Sequence, residues 1–229
     1  MFDYYSPLYG IGLGPGDPEL ITVKALNILR ECEVLILPDS GRAEAILKGI
    51  LTPEELDIKE LIPVHIPMVS NSINIEYAYS KVIDIVCPLL DMNSTVGYLT
   101  IGDPTLYSSF SQIKSRLEYN GYKTKIINGI PAFLSVASCT NHVLVYGDEG
   151  LSINPSSIDS SDTVIYMKKH NELPDLIHEL SDRNDINSLT VFGASDAGLP
   201  TQKTYSSITE LCNDPPSSYF TTIVVKHNH

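Results

Sequence analysis

Short apolar runs alternate with longer amphipathic segments through the first half of the chain. Apolar runs begin at Tyr9 and cover residues 34 to 37, 95 to 101 and 123 to 127, and each is followed by a turn rich in glycine, proline or aspartate. Between these runs apolar residues recur at helical spacing, most clearly over residues 73 to 90. A repeated strand, turn and helix is typical of a parallel sheet, so the pattern predicts an α/β fold.

The second half of the chain also mixes strand and helix patterns. Residues 163 to 167, 189 to 192 and 219 to 225 are rich in apolar and β-branched residues, which predicts three strands. Residues 173 to 180 have the spacing of an amphipathic helix. This half is therefore expected to form a second α/β domain.

Two stretches are candidates for the boundary between the domains. The last apolar run of the first half ends at residue 127, and turn-forming and Ser/Asp-rich stretches follow Thr140. We place the boundary near residues 120 to 128, which gives domains at 1–124 and 125–229. A boundary between residues 140 and 160 is the alternative.

The first turn is rich in glycine but matches neither of two common nucleotide-binding motifs. Gly12 and Gly14 fit the start of a dinucleotide-binding fingerprint, but the third glycine, Gly16, comes one position early and Asp17 follows it. No Gly-Lys-Ser/Thr follows, which excludes a P-loop. We expect Asp17 to be the N-cap of a helix, and the small residues before it to suit a flat ligand that approaches the backbone closely.

A second glycine turn follows the run at 95 to 101. The sequence YLTIGDPTLYSSF at 98 to 110 places Gly102, Asp103 and Pro104 directly after a predicted buried strand. Gly102 permits backbone angles closed to other residues, and Asp-Pro is typical of the start of a helix. Such a junction leaves backbone N–H groups free at the edge of the sheet where α/β proteins bind ligands.

The acidic charge of the chain limits its partners. There are 15 Lys and Arg residues against 28 Asp and Glu residues, a formal net charge of -13. Because nucleic acids and anionic membranes bind clustered basic surfaces, we expect neither as a partner. The apolar runs are also far shorter than the roughly 20 residues that a membrane span needs.

The sequence also indicates where the protein is located and how its cysteines behave. The N-terminus has no basic segment followed by an apolar one, so we expect a cytoplasmic protein. The four cysteines are scattered without a C-x-x-C pair. We expect reduced core residues there rather than a disulfide or zinc site.

Four segments, taken with their order and spacing, indicate a known family. They are GLGPGDPEL at 12 to 20, YLTIGDPTLYSSF at 98 to 110, NGIPAFLSVA at 128 to 137 and IYM at 165 to 167. This arrangement resembles the tetrapyrrole methylases over nearly the whole chain. The stretches GDPTLYSSF, GIPAFLSVAS, GDEGLSINP and YFTTIVVK look most like the members that methylate C20 of precorrin-2 or of cobalt-factor II.

The resemblance implies an S-adenosylmethionine-dependent C-methyltransferase of cobalamin biosynthesis. It also implies two α/β domains with the cofactor folded into a cleft between them, an active homodimer and a tetrapyrrole substrate. Methyl transfer to carbon mainly requires alignment of the reacting atoms and exclusion of water, so no catalytic acid or base is assigned. Tyr107 is the one candidate, either as a substrate contact or as a core residue.

The positions that match the family's motifs indicate which residues of this chain would bind the cofactor. Main-chain groups of the turn at Gly102 are expected to hold the methionine end, while the Asp103 side chain either binds the cofactor or caps a helix. One departure is Asn128, where the family usually has proline. The cofactor-binding residues that the resemblance implies are Pro15, Ile101, Gly102, Asp103, Leu106, Pro131, Ala132, Met167, Ala194 and Thr221 or Thr222.

A macrocycle of this family carries several acetate and propionate groups, so cationic contacts are expected. The substrate-binding residues that we assign are Gly14, Gly16, Asp17, Arg42 and Lys168, and Lys169 and His170 are further candidates. His65 and His142 either shuttle a proton or are structural. No metal-ligand spacing is present in the sequence, so any cobalt would arrive within the substrate.

Three alternatives stay open at the level of the sequence. The nearest is a sister tetrapyrrole methylase that acts on uroporphyrinogen III or precorrin-4. Diphthine synthase shares the fold but modifies a protein side chain. A non-catalytic ligand sensor on the same scaffold would bind the cofactor without turnover.

Overall fold

The computed structural model describes residues 6–38, 41–67, 72–168 and 170–228, apart from the side chains of Ser72 and His170. The chain divides into two compact units, Met1–Pro131 and Ala132–His229. The division differs from the expected boundary at residue 124, because residues 124 to 127 form a strand of the first unit's sheet.

The sheet of the first unit is parallel throughout, as the sequence pattern predicts. Its strands are β1 (Leu8–Gly12), β2 (Val34–Pro38), β3 (Glu60–Val64), β4 (Val96–Thr100) and β5 (Thr124–Ile127). Their order across the sheet is β3-β2-β4-β1-β5, and every pair of neighbours is parallel. All carboxyl ends therefore meet at one edge, with β1 and β4 near the centre.

Five helices accompany this sheet in the described part of the first unit. They are α1 (Val23–Glu31), α2 (Arg42–Ile50), α3 (Pro53–Asp57), α4 (Ser72–Asp91) and α5 (Phe110–Tyr119). The core that α4 and α5 form with the sheet centres on Tyr98 and Phe110, whose ring centroids are 5.9 Å apart. A Cβ at Gly10 would lie 2.3 Å from the Phe110 ring, so only glycine leaves space for this ring. Burial of a Phe side chain stabilises the fold by about 2 kcal/mol.

The first helix does not begin where the sequence predicts. Asp17 caps only a short 3-10 helix, Pro18–Leu20, by accepting a hydrogen bond from the Glu19 amide at 2.9 Å. The α-helix α1 begins at Val23, where Thr22 is the N-cap and its hydroxyl accepts from the Ala25 amide at 3.1 Å. Two capping residues in close succession thus divide what the apolar spacing suggests is one helix.

The second unit has a mixed sheet. Its strands are β6 (Leu151–Ile153), β7 (Thr163–Met167), β8 (Leu189–Ser195), β9 (Lys203–Tyr205) and β10 (Thr221–His227). The order is β6-β7-β10-β8-β9, with β6 and β7 parallel and the other neighbours antiparallel. The helices are α6 (Ala132–Cys139), α7 (Leu173–Ser181) and α8 (Ile208–Asn213), with 3-10 turns at Ile158–Ser160, His170–Glu172 and Ile186–Ser188.

Helices cover both faces of this second sheet. Tyr166, Val191 and Ile223 project from alternate positions of β7, β8 and β10 into the core formed with α7 and α8. Helix α6 contacts β8 and β10, and the His142 ring that follows it stacks on Phe192, with ring centroids 4.0 Å apart. Because Phe192 alternates with Val191 along β8, this contact lies on the opposite face.

The cysteines only partly fit the expectation of core residues. All four thiols are free, and Cys32 is buried with its pKa raised by burial to about 12. Cys139 and Cys212 are exposed, which corrects the expectation for those two. Within the described residues, the helices all lack the length or the apolar character that crossing a membrane requires.

Candidate functional site

The turns after β1 and β4 are joined by main-chain hydrogen bonds. The Leu13 amide donates to the Thr100 carbonyl at 2.8 Å, and the Gly102 amide donates to the Gly14 carbonyl at 2.7 Å. Gly14 and Gly102 have φ values of 77° and 81°, a left-handed conformation that favours glycine. Both residues are buried and form an isolated antiparallel bridge at the carboxyl edge of a parallel sheet.

The turn after β5 packs directly against this bridge. A Cβ at Gly129 would lie 2.1 Å from the Gly102 carbonyl oxygen, and a Cβ at Gly12 would lie 2.5 Å from the Gly129 nitrogen. Backbone from three strand ends is therefore packed at distances that no side chain allows. The region predicted to bind the cofactor is a rigid junction of main-chain segments.

The Asp103 carboxylate joins the same two turns. Its Oδ1 accepts hydrogen bonds from the amide and hydroxyl of Thr105, at 2.7 and 2.5 Å. Its Oδ2 accepts from Asn128 Nδ2 at 3.1 Å and from the Gly129 amide at 3.0 Å. These four donors occupy all the lone-pair positions that a carboxylate offers in its plane.

Neither role expected for the Asp103 side chain matches this geometry. It caps no α-helix, because α5 begins only at Phe110. Its bonds to Thr105 instead close a short side-chain turn. Because all four lone-pair positions are taken, a ligand at this turn would meet main-chain groups rather than the carboxylate.

Hydrogen bonding keeps Asp103 ionised. Burial by itself raises the pKa of this carboxyl group, but the hydrogen bonds from Thr105, Asn128 and Gly129 outweigh burial, and the pKa lies below its ordinary value. The negative charge is therefore a permanent part of the junction near neutral pH.

The other predicted residues of the first glycine loop lie at the same edge. Pro15 and Gly16 are buried between the end of β1 and the 3-10 turn. Asp17 is half-buried and uses Oδ1 to cap that turn. Arg42 is the first residue of α2, which follows β2, so it also belongs to the carboxyl edge.

The predicted residues on either side of the buried stretch Gly102 to Pro104 are more exposed. Ile101 and Leu106 are half-buried, whereas Tyr107 is 53% exposed, which excludes the core role considered for it. Tyr107 has a φ of 47°, an unusual conformation for a bulky residue. Backbone strain of this kind is often found in segments that bind ligands.

Pro131 and Ala132 fall on either side of the division of the chain. Pro131 is the last residue of the first unit, and Ala132 begins α6 in the second. Both are half-buried. Their predicted contact with the cofactor stays a prediction.

Three residues predicted to surround an adenine lie side by side in the second unit. Thr222 of β10 is paired with Met167 on one side and with Ala194 on the other. Directly opposed residues project from the same face of a sheet, so this Met167 row presents a thioether, a threonine and a methyl group together. All three are buried.

The neighbouring Thr221 lies on the other face. It is paired with Ser195, whose Oγ is 2.9 Å from Thr221 Oγ1, and its own hydroxyl donates to the Ser218 carbonyl at 2.6 Å. Since Thr221 is committed to these partners and faces away from Met167, the alternation favours Thr222 of the two threonines.

Lys168 follows the Met167 row. It has a φ of 57°, and burial lowers the pKa of its ammonium group. A cation that is partly removed from water suits an anionic ligand group. Lys169 lies outside the described residues, as does the side chain of His170.

The histidines have different surroundings. His65 is exposed just after β3. The His142 ring stacks on Phe192, and its Nδ1 is buried with no hydrogen-bond partner among the described residues. The stacking places the His142 ring against the second sheet, and the choice between a proton shuttle and a structural role stays a prediction.

Two asparagines are missing from the sequence-based site. Asn128 binds the Asp103 carboxylate, and Asn154 holds the end of β7 by donating to the Met167 carbonyl at 3.0 Å and accepting from its amide at 2.9 Å. For Asn128 the available signal was an amide residue directly after a predicted strand, a position where Asn commonly forms local hydrogen bonds.

The chain is similar to a known protein family over most of its length. Residues 7–212 match the family model described as Tetrapyrrole (Corrin/Porphyrin) Methylases. A probable cobalt-precorrin-2 C(20)-methyltransferase of Methanocaldococcus jannaschii is 32% identical over 184 residues, 78% of this chain and 78% of that protein. A precorrin-2 C(20)-methyltransferase of a Sinorhizobium species is 34% identical over 163 residues, 66% of this chain and 64% of that protein.

Solved structures show a similar fold. The uroporphyrin-III C-methyl transferase of Thermus thermophilus, complexed with S-adenyl homocysteine, aligns with a TM-score of 0.69 at 15% identity. The alignment covers 96% of this chain and 97% of that one. At this level of identity the similarity shows that the fold is shared.

Proposed function

Because the chain belongs to the tetrapyrrole (corrin/porphyrin) methylases, we propose that it methylates C20 of precorrin-2 or cobalt-factor II in cobalamin biosynthesis. The assignment to C20 is supported by the sequence identity of 32% and 34% to two relatives named as C(20)-methyltransferases. Sister methylases align at lower identity and over less of the chain, such as 27% over 136 residues for a precorrin-4 C(11)-methyltransferase of Pseudomonas aeruginosa.

The methyl donor we propose is S-adenosylmethionine. A fold neighbour is complexed with S-adenyl homocysteine, the product that this donor leaves. Two features of the chain fit such a cofactor. The glycine junction at Gly102 brings main-chain segments of three strand ends together at the carboxyl edge, and the Met167 row offers an apolar strip with one hydroxyl for a flat base.

The chain's residues contribute mainly by positioning. When bound, S-adenosylmethionine supplies an electrophilic methyl group. Main-chain groups of the turn that follows β4 hold the polar end of the cofactor, and the small residues around Pro15 and Gly16 leave room for a flat macrocycle. Because alignment alone lowers a barrier by roughly 7 to 11 kcal/mol, this role needs no catalytic base.

Cations near the strand ends are proposed to bind the macrocycle's carboxylates. Arg42 begins α2 at the carboxyl edge of the first sheet, and Lys168 follows β7 in the second unit. Charge-assisted hydrogen bonds from such groups to carboxylates are about twice as strong as neutral ones. We further propose that the protein is a cytoplasmic homodimer, as the family resemblance suggests.

A parallel methylation assay tests the function. The purified chain with S-adenosylmethionine is given cobalt-factor II, precorrin-2 or uroporphyrinogen III, and the product is analysed by mass spectrometry and NMR. We expect one added methyl group at C20 with either of the first two. Methylation of uroporphyrinogen III alone would refute the C20 assignment, and calorimetry that detects no binding of S-adenosylhomocysteine would refute the function as a whole.

A further inference from the structure

We propose that Asn128 is a positioning residue that acts through the Asp103 carboxylate to fix the turn on which the cofactor rests. This inference depends on the proposed function, because it concerns the shape that the Gly102 turn presents to S-adenosylmethionine. Asn128 would touch neither the cofactor nor the reacting atoms.

Asn128 is held from two sides. Its side-chain Nδ2 donates to Asp103 Oδ2 at 3.1 Å, and its main-chain carbonyl accepts from the Thr22 hydroxyl at 3.1 Å. Thr22 in turn accepts from the Ala25 amide as the N-cap of α1. One chain of hydrogen bonds therefore connects α1, the turn after β5 and the turn after β4.

Repulsion and attraction together define the distance between the two turns. The Gly129 backbone already packs so closely on the Gly102 carbonyl that even a Cβ would overlap it, so the turns cannot approach further. Movement apart is opposed by the hydrogen bonds that Asn128 and Gly129 donate to Asp103 Oδ2. Removal of the Asn128 donor weakens only the second constraint, which allows Gly102 to shift.

The test combines Asn128→Ala and Asp103→Asn, singly and together, in calorimetric titrations with S-adenosylhomocysteine. We expect Asn128→Ala to weaken binding about tenfold, the effect of one hydrogen bond to a charged group. We expect the double variant to bind within about twofold of Asp103→Asn, because both changes break the same link. Independent effects that multiply would overturn the proposal.

Tyr122→Phe is the matched control. It removes one hydrogen bond to a carboxylate, Tyr122 to Asp91 at 3.0 Å, just before β5 and away from the carboxyl edge. We expect it to lower the unfolding midpoint as much as Asn128→Ala does, but to leave the KM for S-adenosylmethionine unchanged. Asn128→Ala should raise that KM with kcat changed less than about twofold.

The outcomes separate the two claims. If the unmodified chain binds S-adenosylhomocysteine and Asn128→Ala binds it equally well, only the positioning role is refuted. If the unmodified chain does not bind, the proposed function is refuted and the positioning role with it.

Discussion

The Asp103 carboxylate connects local bonding to the acid stability of the protein. Burial raises its pKa, but its hydrogen bonds outweigh that effect and bring the pKa below the ordinary value of 3.8. A carboxyl group whose pKa is lowered by folding contributes stability at all pH values above its unfolded pKa. That contribution is lost as the pH falls through the lower, folded value.

We predict that Asp103→Asn costs about 2 kcal/mol of unfolding free energy near neutral pH, because the variant loses charged hydrogen bonds and places an amide against two N–H donors. The difference in unfolding free energy should shrink as the pH falls below the ordinary pKa of 3.8 and through the lower, folded value. Urea denaturation of both proteins across this pH range measures it. An equal difference at all pH values would contradict the role of the ionised group.

At the scale of the elements, β10 provides a matched pair of threonines on opposite faces. We predict that Thr222→Val weakens S-adenosylhomocysteine binding about fivefold, the value of a modest hydrogen bond, with little change in stability. Thr221→Val should instead cost about 1 to 2 kcal/mol of unfolding free energy, because it removes the bonds to Ser195 and Ser218, and leave affinity unchanged. Calorimetry measures the affinity of both variants, and chemical denaturation measures their stability. Reversed effects would refute the proposal that the face carrying the Met167 row contacts the cofactor.

A second prediction at this scale concerns the close packing of the three turns at Gly12, Gly102 and Gly129. Gly129→Ala should abolish binding of S-adenosylhomocysteine or destabilise the fold by about 2 kcal/mol or more, since its Cβ would lie 2.1 Å from the Gly102 carbonyl oxygen. Gly150→Ala is the control, because a Cβ there meets its nearest atom at an ordinary 3.6 Å. Thermal unfolding and calorimetric titration compare the stability and the affinity of the two variants. Equal values would show that the backbone around Gly129 can shift to accept a Cβ at little cost.

Elements with a strong local pattern were predictable from the sequence. The structure confirms the strands that end at Thr100 and Met167 and the long helix α4, because apolar periodicity is a local property. The start of α1 was wrong, since Asp17 and Thr22 both have capping chemistry and the sequence alone does not rank them.

Contacts between distant segments were not predictable in the same way. The bond between Asp103 and Asn128 joins two different turns, and it exists only because β4 and β5 flank β1. The choice of Thr222 over Thr221 likewise requires the register of β10 against its neighbours. Such information resides in strand order and pairing, which apolar spacing does not contain.

At the scale of the whole molecule, the net charge of -13 opposes a substrate that carries several carboxylates. We predict that association of the tetrapyrrole becomes faster as ionic strength rises toward about 0.1 M, because the Debye length falls to about 10 Å and screens the long-range repulsion. Stopped-flow binding at several salt concentrations measures the rate. The nearly neutral S-adenosylhomocysteine is the control ligand, and a rate that falls with salt would indicate that local cations dominate.

The bridge between Gly14 and Gly102 has a consequence for hydrogen–deuterium exchange. The Gly102 amide already donates to the Gly14 carbonyl at 2.7 Å, so its proton should exchange slowly before any ligand is added. Added S-adenosylhomocysteine can then slow this amide further only by stabilising the junction against opening. New protection at amides that lack such a bond would mark the ligand's own contacts, and the two kinds of protection would distinguish a stiffened scaffold from direct recognition.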